Sequence, residues 1–216
     1  MVASKGDKEI IEVAAPDIQV VSYKIRGLTP YVSNRFSQKA RQEIQDKQEA
    51  GSAGKSTRKR EPKDFDALYR MSMHRFADGG YGIPAAGFKR AMVDACALAQ
   101  TQKTKARMAM DIVSDGLEVE DELPLVRIAK GEPHKHIAYV RLNDIAGTID
   151  IRARAMFDAG WEAVLRVEFD KSALTLQSIT NMLVRAGLQV GIGEGRPLSK
   201  RSCGMGWGKF EVLNEG

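Results

Sequence analysis

Between Gly187 and Phe210 lie seven glycines and four cationic side chains, Arg196, Lys200, Arg201 and Lys209. Glycine reaches backbone angles closed to other residues and lets a second backbone come close. Main-chain N–H groups beside Arg and Lys make a cradle for phosphate oxygens. The segment is not a Walker A loop, because no G-x-x-x-x-G-K-[ST] occurs, and Gly191-Ile192-Gly193-Glu194-Gly195 does not fit G-x-G-x-x-G. Two readings fit the loop taken alone. One is a phosphate cradle, and the other is a flexible connection whose glycines serve tight turns.

The remaining reactive side chains form weaker constellations. His74, His134 and His136 are the only histidines. A His-x-His pair on a strand points to one face and could begin a metal site. No acid or thiol stands at matching spacing, so His134 and His136 read as solvated residues beside a turn. Asp64 and Asp66 suit a helix N-terminus, where acid is favoured. No Ser or Cys is placed with a His as a nucleophile would require. No cofactor or metal is expected, and catalytic residues are not assigned.

Composition bounds the elements that carry these residues. The chain has 216 residues, 43% hydrophobic and 28% charged, with a net charge of +5. That is enough apolar content for a core, and a moderate basicity that suits a polyanion partner or an ordinary surface. Cys96 falls on the apolar face of a helix, where a buried thiol is expected. Cys203 is far from it, so a reducing compartment is read and a disulfide scaffold is not. No apolar run reaches the roughly 18 residues that span a bilayer, and the N-terminus is polar. No membrane partner is expected, and the expected location is cytoplasmic.

In chain order, Asp17 to Leu28 reads as a strand ended by Gly27 and Pro30. Ser33-Asn34-Arg35 reads as a helix start, and Gln38 to Ala50 as a polar helix. Gly51 to Arg60 is small and basic, and reads as a flexible arm. Pro62 to Ala77 reads as a helix. Ile83-Pro84 leads into a long helix with Phe88, Ala91, Met92, Ala95, Cys96 and Ala99 on one side. Lys89 and Arg90 occupy its first turn, where cations are unfavourable unless an anion is near. Gln100 to Val113 reads as partly helical. Strands are expected at Leu123–Ile128 and Ile137–Leu142, bracketing Gly131-Glu132-Pro133, and at Ile149–Met156 and Trp161–Phe169. Leu174 to Ala186 is an amphipathic helix with Gly187 as its stop. Trp207 to Leu213 closes the chain as a strand.

This order is that of an α+β, ferredoxin-like (RRM-like) βαββαβ core with a long basic insertion after the first strand. One domain over 1–216 is expected, with an inserted helical and basic arm at 31–82. Three stretches carry a family resemblance. Ile83-Pro84-Ala85-Ala86-Gly87-Phe88-Lys89-Arg90-Ala91 opens the first core helix. The last helix runs into Gly187 and Gly191-Ile192-Gly193. The chain closes with Gly204-Met205-Gly206-Trp207-Gly208-Lys209-Phe210. Together these resemble the RAMP superfamily of CRISPR-associated proteins, and within it the backbone subunits of Class 1 effector complexes.

The resemblance implies a protein that grips phosphates of a single strand and assembles side by side along it. It places Lys89, Arg90, Arg196, Lys200 and Arg201 in the groove, and likens the arm at Arg58-Lys59-Arg60 to the family's thumb. Arg26, Asn34, Arg35 and Gly193 complete the expected contact set. The implied partners are single-stranded RNA or DNA, further copies of the chain, and other effector-complex subunits. A stand-alone relative, phage-encoded ones included, fits the same residues. Trp207, Tyr81 and Phe88 could stack on bases, although core positions suit all three. Two rival functions follow from the same family. One is a metal-independent endoribonuclease using His74 or His136 with Tyr81 or Lys135. The other is an adaptor or inhibitor that mimics an effector subunit.

Overall fold

The computed structural model describes residues 14–35, 49, 62–98, 102–141, 149–199 and 204–213. The expected polar helix at 38–50 (but for Glu49) and the basic arm at 51–60 lie outside these residues, as do Lys200, Arg201 and Cys203.

Among the described residues the elements follow in order: β1 Ile18–Gly27, β2 Tyr31–Ser33, α1 Phe65–Met71, β3 His74–Arg75, β4 Tyr81–Pro84, α2 Ala85–Leu98, α3 Lys103–Ala109, β5 Met110–Val113, β6 Gly116–Leu117, β7 Pro124–Lys130, β8 Pro133–Arg141, β9 Ile149–Phe157, β10 Glu162–Asp170, α4 Leu176–Arg185 and β11 Phe210–Leu213. The result is a mixed α+β fold with two antiparallel sheets. The larger has the order β11-β1-β10-β7-β4-β3, with β5 paired to β10 and β6 to β7. The smaller is β2-β9-β8.

Period-two alternation sets the two faces of the larger sheet. Ala163, Leu165, Val167 and Phe169 of β10 point inward with Ile25, and are fully or almost fully buried. They meet Phe88, Met92 and Ala95 of α2 and Ile179 and Leu183 of α4. Each large apolar side chain buried here contributes roughly 1.5–3 kcal/mol. Cys96 is a buried thiol in this layer, with its sulfur 3.0 Å from that of Met182. The opposite face carries Ile18, Val20, Ser22, Lys24 and Arg26 in register with Asp170, Glu168, Arg166, Val164 and Glu162. These rows hold charged and aliphatic side chains and no aromatic ring.

Tyr31 joins the two sheets. It is buried, with ring centroids 5.8 Å from Phe157 and 6.0 Å from Trp161, and burial pushes its hydroxyl up to about 12. Trp161 donates from Nε1 to the Thr29 carbonyl at 3.1 Å.

Several elements differ from their sequence reading. Ser33 ends a strand rather than opening a helix, because Tyr31–Ser33 pairs with Ala155–Phe157. The helix read over 62–77 stops at Met71, and His74–Arg75 pairs with Tyr81–Gly82. Its start follows expectation. The Asp64 carboxylate accepts from the amides of Asp66 and Ala67 at 2.9 and 3.0 Å, as an N-cap should. The strands either side of Gly131-Glu132-Pro133 do not pair with each other, since β7 belongs to the larger sheet and β8 to the smaller. Gly187 does not end the last helix. A π turn continues it over Ala186–Val190, and Gly191, at φ 73°, is the stop. Gly187 is needed for another reason: a Cβ there would overlap the Phe210 carbonyl. Among the described residues, no helix is long and apolar enough to cross a membrane.

Candidate nucleic-acid interface

The glycine-rich segment is a folded knot rather than a row of open amides. Seven of its N–H groups, on Gly191, Ile192, Glu194, Leu198, Met205, Trp207 and Gly208, donate to carbonyls. The amide of Gly208 reaches the Pro30 carbonyl at 2.7 Å, and its own carbonyl accepts from Ile192 at 3.0 Å. A Cβ at Gly193, where φ is +76°, would stand 2.7 Å from both the Tyr31 ring and the Val32 carbonyl. The glycines therefore let the loop press against β2 and against itself. The expected cradle of bare amides is corrected accordingly, because most of these donors already have partners.

What the knot does is hold side chains over the smaller sheet. His136 of β8 lies opposite Arg154 of β9, and Ala138 opposite Arg152, so the three polar side chains share one face. Glu194 hangs from the loop over that face. Its amide is tied to the Val32 carbonyl at 3.0 Å. Its carboxylate accepts from Arg154 Nε at 3.2 Å and lies 3.9 Å from Arg152 Nη1. Trp207, from the other end of the loop, meets the His136 ring edge-on at 5.3 Å. Asp150 lies 3.8 Å from Arg152 Nε and also pairs with Lys63. The Lys63 hydrogen bond, opposed by some burial and helped by Lys63 and Arg152 charge, holds the Asp150 carboxyl below its ordinary value.

The expected contact residues are only partly gathered here. Gly193 and Arg196 stay together, with Arg196 Nη1 donating to the Gly193 carbonyl at 3.1 Å. Lys89 bonds Asp111 of β5 at 2.8 Å, and Arg90 bonds Asp94 one helical turn on at 2.8 Å. These carboxylates supply the anions their helix position calls for. Arg26 pairs with Glu211 on the open face of the larger sheet. Asn34 is exposed after β2. Arg58, Lys59, Arg60, Lys200 and Arg201 lie outside the described residues. Of the aromatic candidates, Phe88 is core, Tyr81 is half-buried, and only Trp207 belongs to the loop. Arg152, Arg154 and Glu194 are absent from the sequence-based set. The Arg-x-Arg spacing on a strand was a usable signal for the first two.

Arg35 is a clear correction. It is 8% exposed and enclosed by carboxylates rather than open to phosphate. Its guanidinium meets Glu118 at 2.6 Å and Asp121 at 3.2 Å, and also pairs with Glu120. His74 Nδ1 stands 3.3 Å from the same Glu118 oxygen. Burial pushes the Glu118 carboxyl up to about 7, with Asp121 and Glu120 adding to the rise and Arg35 opposing it. A carboxyl whose folded value is raised binds its proton more tightly in the native state. Its effect on stability is absent below the unfolded value near 4.5, grows as pH rises to about 7, and then levels off as a full penalty. Stability should thus fall by up to about 3 kcal/mol between pH 5 and pH 8 from this group alone. Glu118→Gln keeps a donor for Asp121 and should flatten that slope in urea titrations. An equally steep slope in the variant would assign the pH dependence elsewhere.

No protein-family model matches the chain, and no curated protein matches it. Solved structures do. The fold is similar to a chain in the cryo-EM structure of the Type III-B Cmr-beta bound to cognate target RNA, with a TM-score of 0.54 at 10% identity over 91% of this chain. This chain spans only 59% of that one. The crystal structure of Cmr6 from Pyrococcus furiosus also matches, with a TM-score of 0.43 at 9% identity, covering 91% of this chain and 99% of that one. The first of these likenesses shows a shared fold.

Proposed function

We propose that this chain binds single-stranded nucleic acid without cutting it, RNA or DNA, and assembles along the strand through the surface that the glycine-rich loop builds. The observation that carries the reading is the joint placement of Arg152, Arg154, His136 and Trp207 on one face, held there by that loop. Guanidinium groups supply phosphate contacts, and a half-exposed indole supplies a stacking plane. The sheet order β11-β1-β10-β5, with α2 and α4 on one side, supports a ferredoxin-like βαββαβ plan for the central unit. Base stacking on the open sheet face, as in an RRM, is not favoured, because its β1 and β10 rows present no aromatic ring. The fold likeness to a chain of an RNA-bound Type III-B complex agrees with the reading.

The test is fluorescence anisotropy with labelled single-stranded RNA and DNA across a salt series. Affinity should drop as salt rises, with a slope of about −0.7 per phosphate contacted. Size-exclusion chromatography on strands of increasing length should show stepwise addition of copies. Intact RNA after incubation with and without EDTA is expected. Cleavage would favour the endoribonuclease reading, and no binding to either strand would remove the proposal.

A further inference from the structure

We propose that Arg152 and Arg154 form a phosphate site which Glu194 occupies in the free protein, so that the loop carries its own competitor. This rests on the binding function proposed above. Three features argue for it. First, Glu194 is the loop's only acid between Gly187 and Phe210, and it is aimed at the two guanidinium groups that share a face of β9. Second, it is flanked by Gly193 and Gly195, both at positive φ, so the carboxylate hangs from the loop on backbone that other residues rarely adopt. Third, the guanidinium groups are not sealed off: the side chains of Arg152 and Arg154 keep 34% and 16% exposure, and that of Glu194 keeps 23%. A carboxylate held by two arginines mimics a phosphate in charge and in hydrogen-bond geometry. A strand must displace it to reach them, and the Trp207 and His136 rings stand beside the vacated position.

The contact is therefore autoinhibitory in the thermodynamic sense. Free energy released when phosphate meets Arg152 and Arg154 is offset by the loss of their bonds to Glu194. Glutamine at 194 keeps the shape and, through its amide oxygen, the hydrogen bond from Arg154, but removes the charge that pairs with both guanidinium groups. The same ligand should then bind more tightly. A purely structural Glu194 gives the opposite result, because weakening its ion pairs would loosen the loop.

The measurement uses the full chain and a labelled single-stranded uridine 20-mer in a potassium chloride series. Glu194→Gln should bind about tenfold tighter near 100 mM salt, with an unchanged melting temperature. Arg152→Gln and Arg154→Gln should each weaken binding and reduce the salt slope by about 0.7. In the double arginine variant, Glu194→Gln should no longer matter. Glu162→Gln, which removes a carboxylate from the open sheet face, controls for net charge and should change affinity less than twofold. The inference is overturned if Glu194→Gln binds as the parent does or more weakly, or if Glu162→Gln tightens binding equally. Should Glu194→Gln fail to fold, the two single arginine variants decide, and unchanged slopes in both refute the site. Binding by the parent with those unchanged slopes would leave the general function standing. Absence of binding by the parent and by Glu194→Gln alike would remove both.

Discussion

Gly208→Ala should be among the most damaging substitutions in the chain, and Gly206→Ala should be mild. The two glycines are alike in conformation, at φ 71° and 74°. Alanine at either position costs about 1 kcal/mol or somewhat more in backbone strain. They differ in surroundings. Nothing lies within 4 Å of a Cβ built on Gly206, whereas one on Gly208 would fall inside the Ile192 carbonyl. The Gly208 amide donates to the Pro30 carbonyl and the Gly208 carbonyl accepts from the Ile192 amide, so the backbone that would clash is also the backbone that ties the loop down. Relief requires moving main chain, not a side-chain tip, so overlap should add at least another 1–3 kcal/mol. Urea titration of both variants separates strain from overlap. The loop also positions Trp207, the proposed stacking plane, so Gly208→Ala should weaken strand binding while Gly206→Ala should retain it. Equal losses of stability in the two variants would mean that the loop yields easily, contrary to the packing described.

Arg35→Met should cost about 3–5 kcal/mol, since it leaves buried carboxylates without their cation. Glu118 and Asp121 are both largely buried, with 3% and 7% side-chain exposure. Arg35→Lys should recover only part of the loss. A single ammonium cannot span the three carboxylates that a planar guanidinium fork reaches. The penalty in Arg35→Met should shrink in acid, where the stranded carboxyls take up protons. Chemical denaturation at pH 5 and pH 8 measures it. A loss below 1 kcal/mol at pH 8 would show that water or rearrangement already screens the cluster. Arg35 stands two residues past the end of β2, so this cluster also holds the chain where it leaves the sheet.

Much of the element order was open to reading from the chain alone. Period-two alternation in Trp161–Phe169 and the apolar stripe of Leu176, Ile179, Met182 and Leu183 dictate a half-buried strand and an amphipathic helix. Thr175 accepts from the Ser178 amide at 3.1 Å and caps that helix. The buried side of α2 was legible for the same reason, as was the carboxylate cap at Asp64. Local periodicity and capping depend on near neighbours, and near neighbours are what a sequence displays.

The partners of charged side chains were decided elsewhere. Arg35 looks like any basic residue beside a turn until Glu118, Glu120 and Asp121 arrive from more than eighty positions away. Lys89 looks like an unanswered cation until Asp111 of β5 meets it. Whether Pro124–Lys130 and Pro133–Arg141 pair or part depended on which sheet offered each a neighbour. The glycines announced close approach, and only the tertiary contacts revealed that the approaching groups were Tyr31, Val32 and Ile192. The sequence by itself therefore determined the order of elements and the presence of a tight basic loop, because dihedral preference and burial period are local. Tertiary structure alone decided which cations stay accessible and which are neutralised, because Coulomb energy depends on distance through space and on desolvation rather than on separation along the chain.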